Sequence, residues 1–404
     1  MIIGLYGIAG VYNYGCEAIV RGAVRLVKDA NPQSRIVYYS RRAEEDRYKL
    51  KDLDIEVCQI SKNSGIISRA INKFFRIADI NHRLPIDDHE RICKECDAII
   101  SIGGDIYTIP EYLRKNDKYP YYNNLVQFGE AVKKHHKKLI IYGASIGPFG
   151  DFDKAKDYYF NHLKKVDVIV ARERSTMKYL KDNGVEDNVL FLPDPAFFVV
   201  AKTDSLKKEW SRYLGVNLSP LSLKEIYGDV NEEHKRKLAF LISDIAKKTN
   251  LDIMLIPHVI SPTNVLDNDL LFLNEIASII EKNSKNTVKV IKDAGGFIQT
   301  KQYLSQCEIV VAARMHCAIN AMCESIPTIL LAYSEKAKGM ARFVYGSEQW
   351  VLSLKNIEGD LNNKIDLMLR ERDNIHKFLE NRFGDIRNTE KFQQEIKKLS
   401  LIIK

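Results

Sequence analysis

Arg314, Met315 and His316 follow directly on a short apolar run, Glu308 to Ala313, and Tyr333, Ser334 and Lys336 follow on a second, Thr328 to Ala332. Two cations, an imidazole and two hydroxyls suit a small anion that carries phosphate or carboxylate. The imidazole adds a group able to exchange a proton near neutral pH. Both runs are rich in branched aliphatic residues and too short for helices, so they read as buried parallel strands. The small residues between them, up to Ser325, read as a helix packed closely on the sheet. In an open parallel sheet the ligand crevice lies outside the carboxyl ends of the strands. One strand–helix–strand unit therefore aims all five side chains at the same edge.

The same placement recurs along the chain. His258 follows the strand expected at Asp252 to Ile256, and Arg172 follows Val166 to Ala171, which makes it a second anion ligand. Gly103 and Gly104 end the strand Ala98 to Ile102 and let backbone approach a ligand closely. Asp105 behind them either binds sugar hydroxyls, acts as a base, or forms a turn. Ser145 lies in the glycine turn after Leu139 to Gly143. Asp194, between Pro193 and Pro195, either orients Arg172 or makes a turn. Near the start, strand Ile2 to Tyr6, a glycine-bearing loop and a helix from Glu17 to Asp29 have the layout of a phosphate-binding turn. The loop lacks G-x-G-x-x-G and no Walker lysine follows, which argues against a dinucleotide site. Asn13 and Glu17 remain candidates there, with a first-turn acid complementing the helix dipole as the plainer role of Glu17. Ser175 reads as the cap of the next helix. The tyrosine- and proline-bearing loop Thr108 to Asn124 reads as a carbohydrate-stacking loop or a packed surface loop.

A chain of 404 residues with 45% apolar and 28% charged residues is an ordinary globular protein, long enough for two domains. No apolar run reaches membrane-span length, and the N-terminus has no basic region ahead of its apolar stretch. The net charge of +8 is modest, and its clusters lack interleaved aromatics, which argues against nucleic acid. Lys133 to Lys138 reads as a solvated helix end, with weak attraction to a membrane surface or a polyanionic glycan as the second reading. Ile66 to Ile77 reads as an apolar-basic helix. The seven cysteines sit mostly among apolar residues. The lone Cys93-x-x-Cys96 pair has no partner pair for zinc, so no metal is expected and the compartment is reducing cytoplasm.

R-M-H at 314–316 and I-P-T-I-L-L-A-Y-S-E-K at 326–336 resemble the C-terminal signature of polysaccharide pyruvyl transferases. Further blocks are similar to that family in the same order: N-Y-G-C-E-A at 13–18, the Gly103-Gly104 pair, G-A-S-I-G-P-F at 143–149, A-R-E-R-S-T-M-K-Y-L-K-D-N-G at 171–184, P-D-P at 193–195, G-V-N-L-S-P at 215–220 and P-H at 257–258. Cys16 stands where the family pattern usually carries Asp. The resemblance implies an α/β fold of two Rossmann-like domains facing a cleft, as in B-type glycosyltransferases. The expected division is 1–200 (acceptor side), a linker at 201–212, 213–355 (donor side), and C-terminal helices 356–404 packing back across the junction. It also implies transfer of a pyruvyl group from phosphoenolpyruvate to two hydroxyls of a sugar, which the cysteine and charge readings put in the cytoplasm, at or away from the inner membrane surface. The product is a cyclic ketal in an envelope or exported polysaccharide, and phosphoenolpyruvate is a co-substrate rather than a cofactor. Arg172, Arg314, Lys336, Ser334 and Tyr333 are then donor ligands, and Asn13, Gly103, Gly104 and Ser145 acceptor ligands. His316 or His258 is the general acid, and Asp105, Glu17 or the second histidine the base. The acceptor's identity, and whether it is lipid-linked, stay open. The competing readings are a nucleotide-sugar glycosyltransferase and a non-catalytic glycan-binding relative.

Overall fold

The computed structural model describes residues 1–404 apart from 62–64, 79, 86, 115–116, 201–212, 293–294, 334, 389 and 404. The linker expected at 201–212 and Ser334 therefore lie outside the described residues. The chain forms two compact units. The first comprises Met1–Gly10, Ile19–Pro195 and Thr389–Lys404, the second Val11–Ala18 and Ala196–Asn388.

The first unit is built on β1 (Ile2–Tyr6), β2 (Arg35–Ser40), β3 (Glu56–Gln59), β4 (Ala98–Ile102), β5 (Lys138–Ala144), β6 (Val168–Ala171) and β7 (Val189–Phe191). They form one parallel sheet in the order β3-β2-β1-β4-β5-β6-β7. The central strands are continuous runs of buried Ile, Leu and Val because helices cover both faces. Chain order reverses between β1 and β4, so loops leaving those two strands diverge at a switch point.

The second unit repeats the plan with β8 (Tyr213–Asn217), β9 (Asp252–Leu255), β10 (Val288–Val290), β11 (Cys307–Ala312), β12 (Thr328–Ala332) and β13 (Val351–Ser353). Their order is β10-β9-β8-β11-β12-β13, again parallel. The reversal here falls between β8 and β11. The strand carrying Arg314 and His316 at its end is thus beside the switch point, where a crevice opens.

Several elements differ from expectation. The first helix runs Tyr14–Ala30, three residues longer at its start. Asn13 caps it, its Oδ1 accepting from Gly15 N at 2.9 Å and Cys16 N at 3.4 Å. The segment Val11–Ala18 belongs to the second unit. Helices Pro220–Tyr227 and Glu335–Tyr345 have no counterpart in the sequence pattern, while helix His89–Glu95 carries Cys93 of the C-x-x-C pair near its end. The N-cap of helix Arg174–Asp182 is Glu173, and Ser175 instead donates its hydroxyl to Glu173 Oε2 at 3.2 Å. The two C-terminal helices do not form one block. Ile357–Asn388 lies in the second unit and Glu390–Ile402 in the first. Among the described residues no helix is long and apolar enough to cross a membrane.

Candidate active site

In the second unit Arg314 is the N-cap residue of helix Met315–Cys323, just beyond β11. Its backbone N–H donates to Asn217 Oδ1 at 2.9 Å, at the end of β8. Two carboxylates hold its guanidinium. Asp269 Oδ1 accepts from Nε at 3.2 Å and Nη2 at 2.9 Å, and Asp267 Oδ1 accepts from Nη2 at 2.7 Å. Among the described residues Nη1 has no partner, and the side chain is 15% exposed. Burial works to lower the guanidinium pKa, but Asp269 and Asp267 outweigh it and hold the group above the ordinary arginine value. Arg314 is thus an oriented, permanently charged fork with one edge unengaged.

Asp269 is the hub of this arrangement. It is fully buried, and its second oxygen, Oδ2, accepts from the backbone N–H of His258 at 3.0 Å and of Val259 at 3.1 Å. One carboxylate therefore fixes both the arginine and the loop that presents His258. Neither Asp267 nor Asp269 stood out in the sequence, because an acid in a helix's first turn looks like a dipole complement. The asparagine-aspartate pair opening helix Asp269–Asn283 was the available signal.

The two histidines have different environments. His316 lies in the first turn behind Arg314 and is half-buried. Gly15 admits its ring, since a Cβ there would stand 2.5 Å from Nδ1 and 2.9 Å from the His316 Cβ. His258 is 1% exposed, with its ring edge-on to Tyr14 at 5.5 Å and to Phe297 at 5.9 Å. Neither of its ring nitrogens has a hydrogen-bond partner among the described residues. Burial, then the positive charges of His316, Arg314 and Lys301, push its pKa well below the ordinary histidine value. His258 is therefore neutral at physiological pH.

The N-terminal motif folds onto this same unit. Tyr14 N donates to His258 O at 3.0 Å, and Asn13 forms a bridge with Val259. Glu17 is fully buried, and its Oε2 accepts from Phe297 N at 2.9 Å, which caps helix Phe297–Leu304. Asn13 and Glu17, expected on the first domain, thus stand with His258, Arg314 and His316. Tyr333 is 41% exposed just beyond β12. Lys336 lies in the first turn of helix Glu335–Tyr345 rather than at a strand end.

In the first unit Arg172 is buried at the end of β6. Its Nη1 donates to Asp194 Oδ2 at 2.8 Å, and its Nη2 donates to Ser145 Oγ at 2.9 Å and Asp105 Oδ1 at 3.3 Å. Glu173 Oε1 lies 3.3 Å from Nε and accepts the Ser145 hydroxyl at 2.6 Å. Burial opposes the charge on Arg172, but Asp194, Glu173 and Asp105 prevail and raise its pKa. Asp194 therefore does orient Arg172. The side chain of Asp105 is 53% exposed and that of Asp194 fully buried, so Asp105 is the exchangeable partner. Gly104 passes close by, and a Cβ there would lie 3.5 Å from Arg172 Nη2. Gly103, at φ +153°, makes the turn. The two arginines thus belong to separate units, and the acids on Arg314, Asp267 and Asp269, are the ones that the sequence reading did not include.

The tyrosine loop is largely packed. Tyr119 is buried and donates to Phe149 O at 2.6 Å, and Tyr121 lies edge-on to Phe152 and Tyr158. Tyr112 is exposed. Cys93 and Cys96 are buried free thiols, with Cys93 pushed up to about 11, first by burial.

Two parallel six- and seven-stranded sheets covered by helices define the two-domain α/β class shared by B-type glycosyltransferases and nucleotide-sugar epimerases. Similar solved structures include Anabaena HepE in complex with UDP and glucose (TM-score 0.57, 13% identity, 99% of each chain covered). A glycosyltransferase from Rickettsia africae is comparable (TM-score 0.57, 12% identity, 99% of this chain and 98% of that one). So is the UDP-GlcNAc 2-epimerase from Methanocaldococcus jannaschii (TM-score 0.56, 12% identity, 100% of this chain and 99% of that one). Identities this low establish the fold alone. Residues 13–335 match the family described as polysaccharide pyruvyl transferase, and the chain belongs to that family.

Proposed function

We propose that the protein transfers a pyruvyl group from phosphoenolpyruvate to two hydroxyls of one sugar in an envelope or exported glycan, or in its precursor. The observation that carries this reading is Arg314, locked by Asp267 and Asp269 with its Nη1 edge unengaged and His316 one turn-start away. Phosphoenolpyruvate carries a carboxylate and a phosphate. Arg314, Lys336, Tyr333 and the start of helix Met315–Cys323 supply the charge and dipole to hold them. Ser334 joins this set by its position in the chain.

The donor's methylene carbon takes a proton and one sugar oxygen bonds to the neighbouring carbon, whose bond to the phosphate oxygen then breaks. The second sugar oxygen closes the ketal, and the two hydroxyl protons are accounted for by the new methyl group and the released phosphate. His316, half-buried beside Arg314, is the general acid in this reading. His258, sealed and neutral, is a positioning residue. Glu17, buried as a helix cap, fits positioning better than proton transfer. Asp105, half-exposed and oriented by Arg172, fits a base or a sugar-hydroxyl acceptor, with Ser145 and the Gly103-Gly104 backbone beside it. Arg172 takes an anionic group most readily in exchange for Asp105, the most exposed of its acidic partners.

Because HepE holds UDP on the same fold, a nucleotide-sugar donor is the competing reading. The test is phosphate release from phosphoenolpyruvate in the presence of a panel of galactosyl, mannosyl and N-acetylhexosaminyl acceptors, with ketal formation followed by mass spectrometry. Acceptor-dependent release lost in Arg314→Lys supports the proposal. Sugar transfer from a UDP-sugar to the same acceptors, without phosphate release, overturns it.

A further inference from the structure

The helix Ile66–Ile77 in the first unit buries none of its residues. Ile66 is 86% exposed, Ile67 76%, Phe74 61% and Ile77 73%, and Ile80 just beyond is exposed too. Such a set of large apolar side chains on one surface helix is not what a globular protein leaves to water. Their positions are ordered. At 100° per residue, Ile66, Ile77, Ala70, Phe74 and Ile67 fill one continuous arc, and Lys73, Arg69 and Arg76 form a basic stripe along one border. The helix contains no acidic residue. Its other side is anchored: Asn72 donates to Leu84 O at 3.1 Å and accepts from Leu84 N at 2.7 Å, and the Phe75 ring lies edge-on to His82 at 5.5 Å. The outward face is therefore the apolar arc with its cationic border.

We infer that this face docks on an anionic lipid bilayer. An apolar arc bordered by Lys and Arg, with no acid, is the pattern of a helix lying in the plane of a membrane interface. The isoleucine and phenylalanine side chains enter the acyl boundary while the basic border meets the phosphates. The charge decides between occupants. Paired antiparallel with a second copy of the chain, the two basic borders would meet and repel, whereas anionic headgroups match the border. This is independent of the donor assignment and says where the protein works.

The test is sedimentation of the full-length protein with vesicles of phosphatidylcholine alone or with about one-third phosphatidylglycerol. We expect binding to the anionic vesicles at least tenfold above that to neutral ones, weakened at high salt. Phe74→Ser with Ile67→Ser, and separately Lys73→Glu with Arg76→Glu, should each lower it at least tenfold. Phe74→Trp, which keeps the apolar face, should retain binding and shift its emission to the blue on vesicle addition. Equal binding to both vesicles, binding unchanged by the charge reversals, or an unshifted tryptophan would overturn the inference. So would a vesicle-free dimer that the same substitutions dissociate, because a second copy would then cover the face.

Discussion

Arg314 shows how one residue is prepared by its neighbours. Asp269 and Asp267 set its fork, and Asn217 sets its backbone. Removing the guanidinium leaves the Asp269 carboxylate buried without its counter-charge, so Arg314→Ala should cost about 3–5 kcal/mol of stability as well as activity. Arg314→Lys, which keeps charge but not the fork, separates the two effects. It should fold with a smaller loss and still lose most turnover, as phosphate-release kinetics and chemical denaturation can check together. Gly15→Ala should drive the His316 ring from its place, lowering turnover and costing about 1–3 kcal/mol through overpacking. The histidines also predict a pH effect. His258 and His89 have lowered pKa values, burial being the first cause in each. The unfolded chain therefore takes up protons below about pH 6.5 that the folded one refuses. Stability is whole above that pH and falls as pH drops, by up to about 1.4 kcal/mol per unit for each group. Denaturation between pH 7 and 5 should show this slope, and His258→Asn should reduce it. At this scale Arg314 and His316 were legible because they sit directly behind an apolar run. Asp269 was not, because its partner lies on a different strand and a helix-start acid has a commoner explanation.

Elements carry the site through their ends. Helix Phe297–Leu304 begins at Gly296, at φ +118°, where a Cβ would strike the Glu17 carboxylate that caps the helix. Gly296→Ala should therefore destabilise the second unit by more than the same change at Gly339, which lies in helix Glu335–Tyr345 with open space around its Cα. Thermal melts of the two variants make that comparison. Most strands were legible to within a residue or two, since a parallel strand buried on both faces is an unbroken apolar run. The helices Pro220–Tyr227 and Glu335–Tyr345 were not. Each is short, one opens with proline, the other carries Gly339 and scattered charges, and tertiary packing rather than periodicity decides them.

At the scale of the molecule, family and fold were both legible because the motif blocks span residues 13–335 in order. What was not legible is that Val11–Ala18 folds with the second unit. A strand-loop-helix start looks local, and nothing in its sequence says that Tyr14 bonds to a residue 244 positions away. That return of the N-terminus gives the N-Y-G motif a physical role. Asn13 caps the helix, Tyr14 covers His258, and Gly15 seats His316. Whether the second unit binds phosphoenolpyruvate through Arg314 is decided by a thermal-shift comparison of wild type and Arg314→Lys with phosphoenolpyruvate, UDP and GDP. A ligand bound only by the folded state raises the midpoint by mass action. Wild type should show a rise with phosphoenolpyruvate that Arg314→Lys abolishes, and none with either nucleotide. A rise with UDP or GDP and none with phosphoenolpyruvate would contradict it.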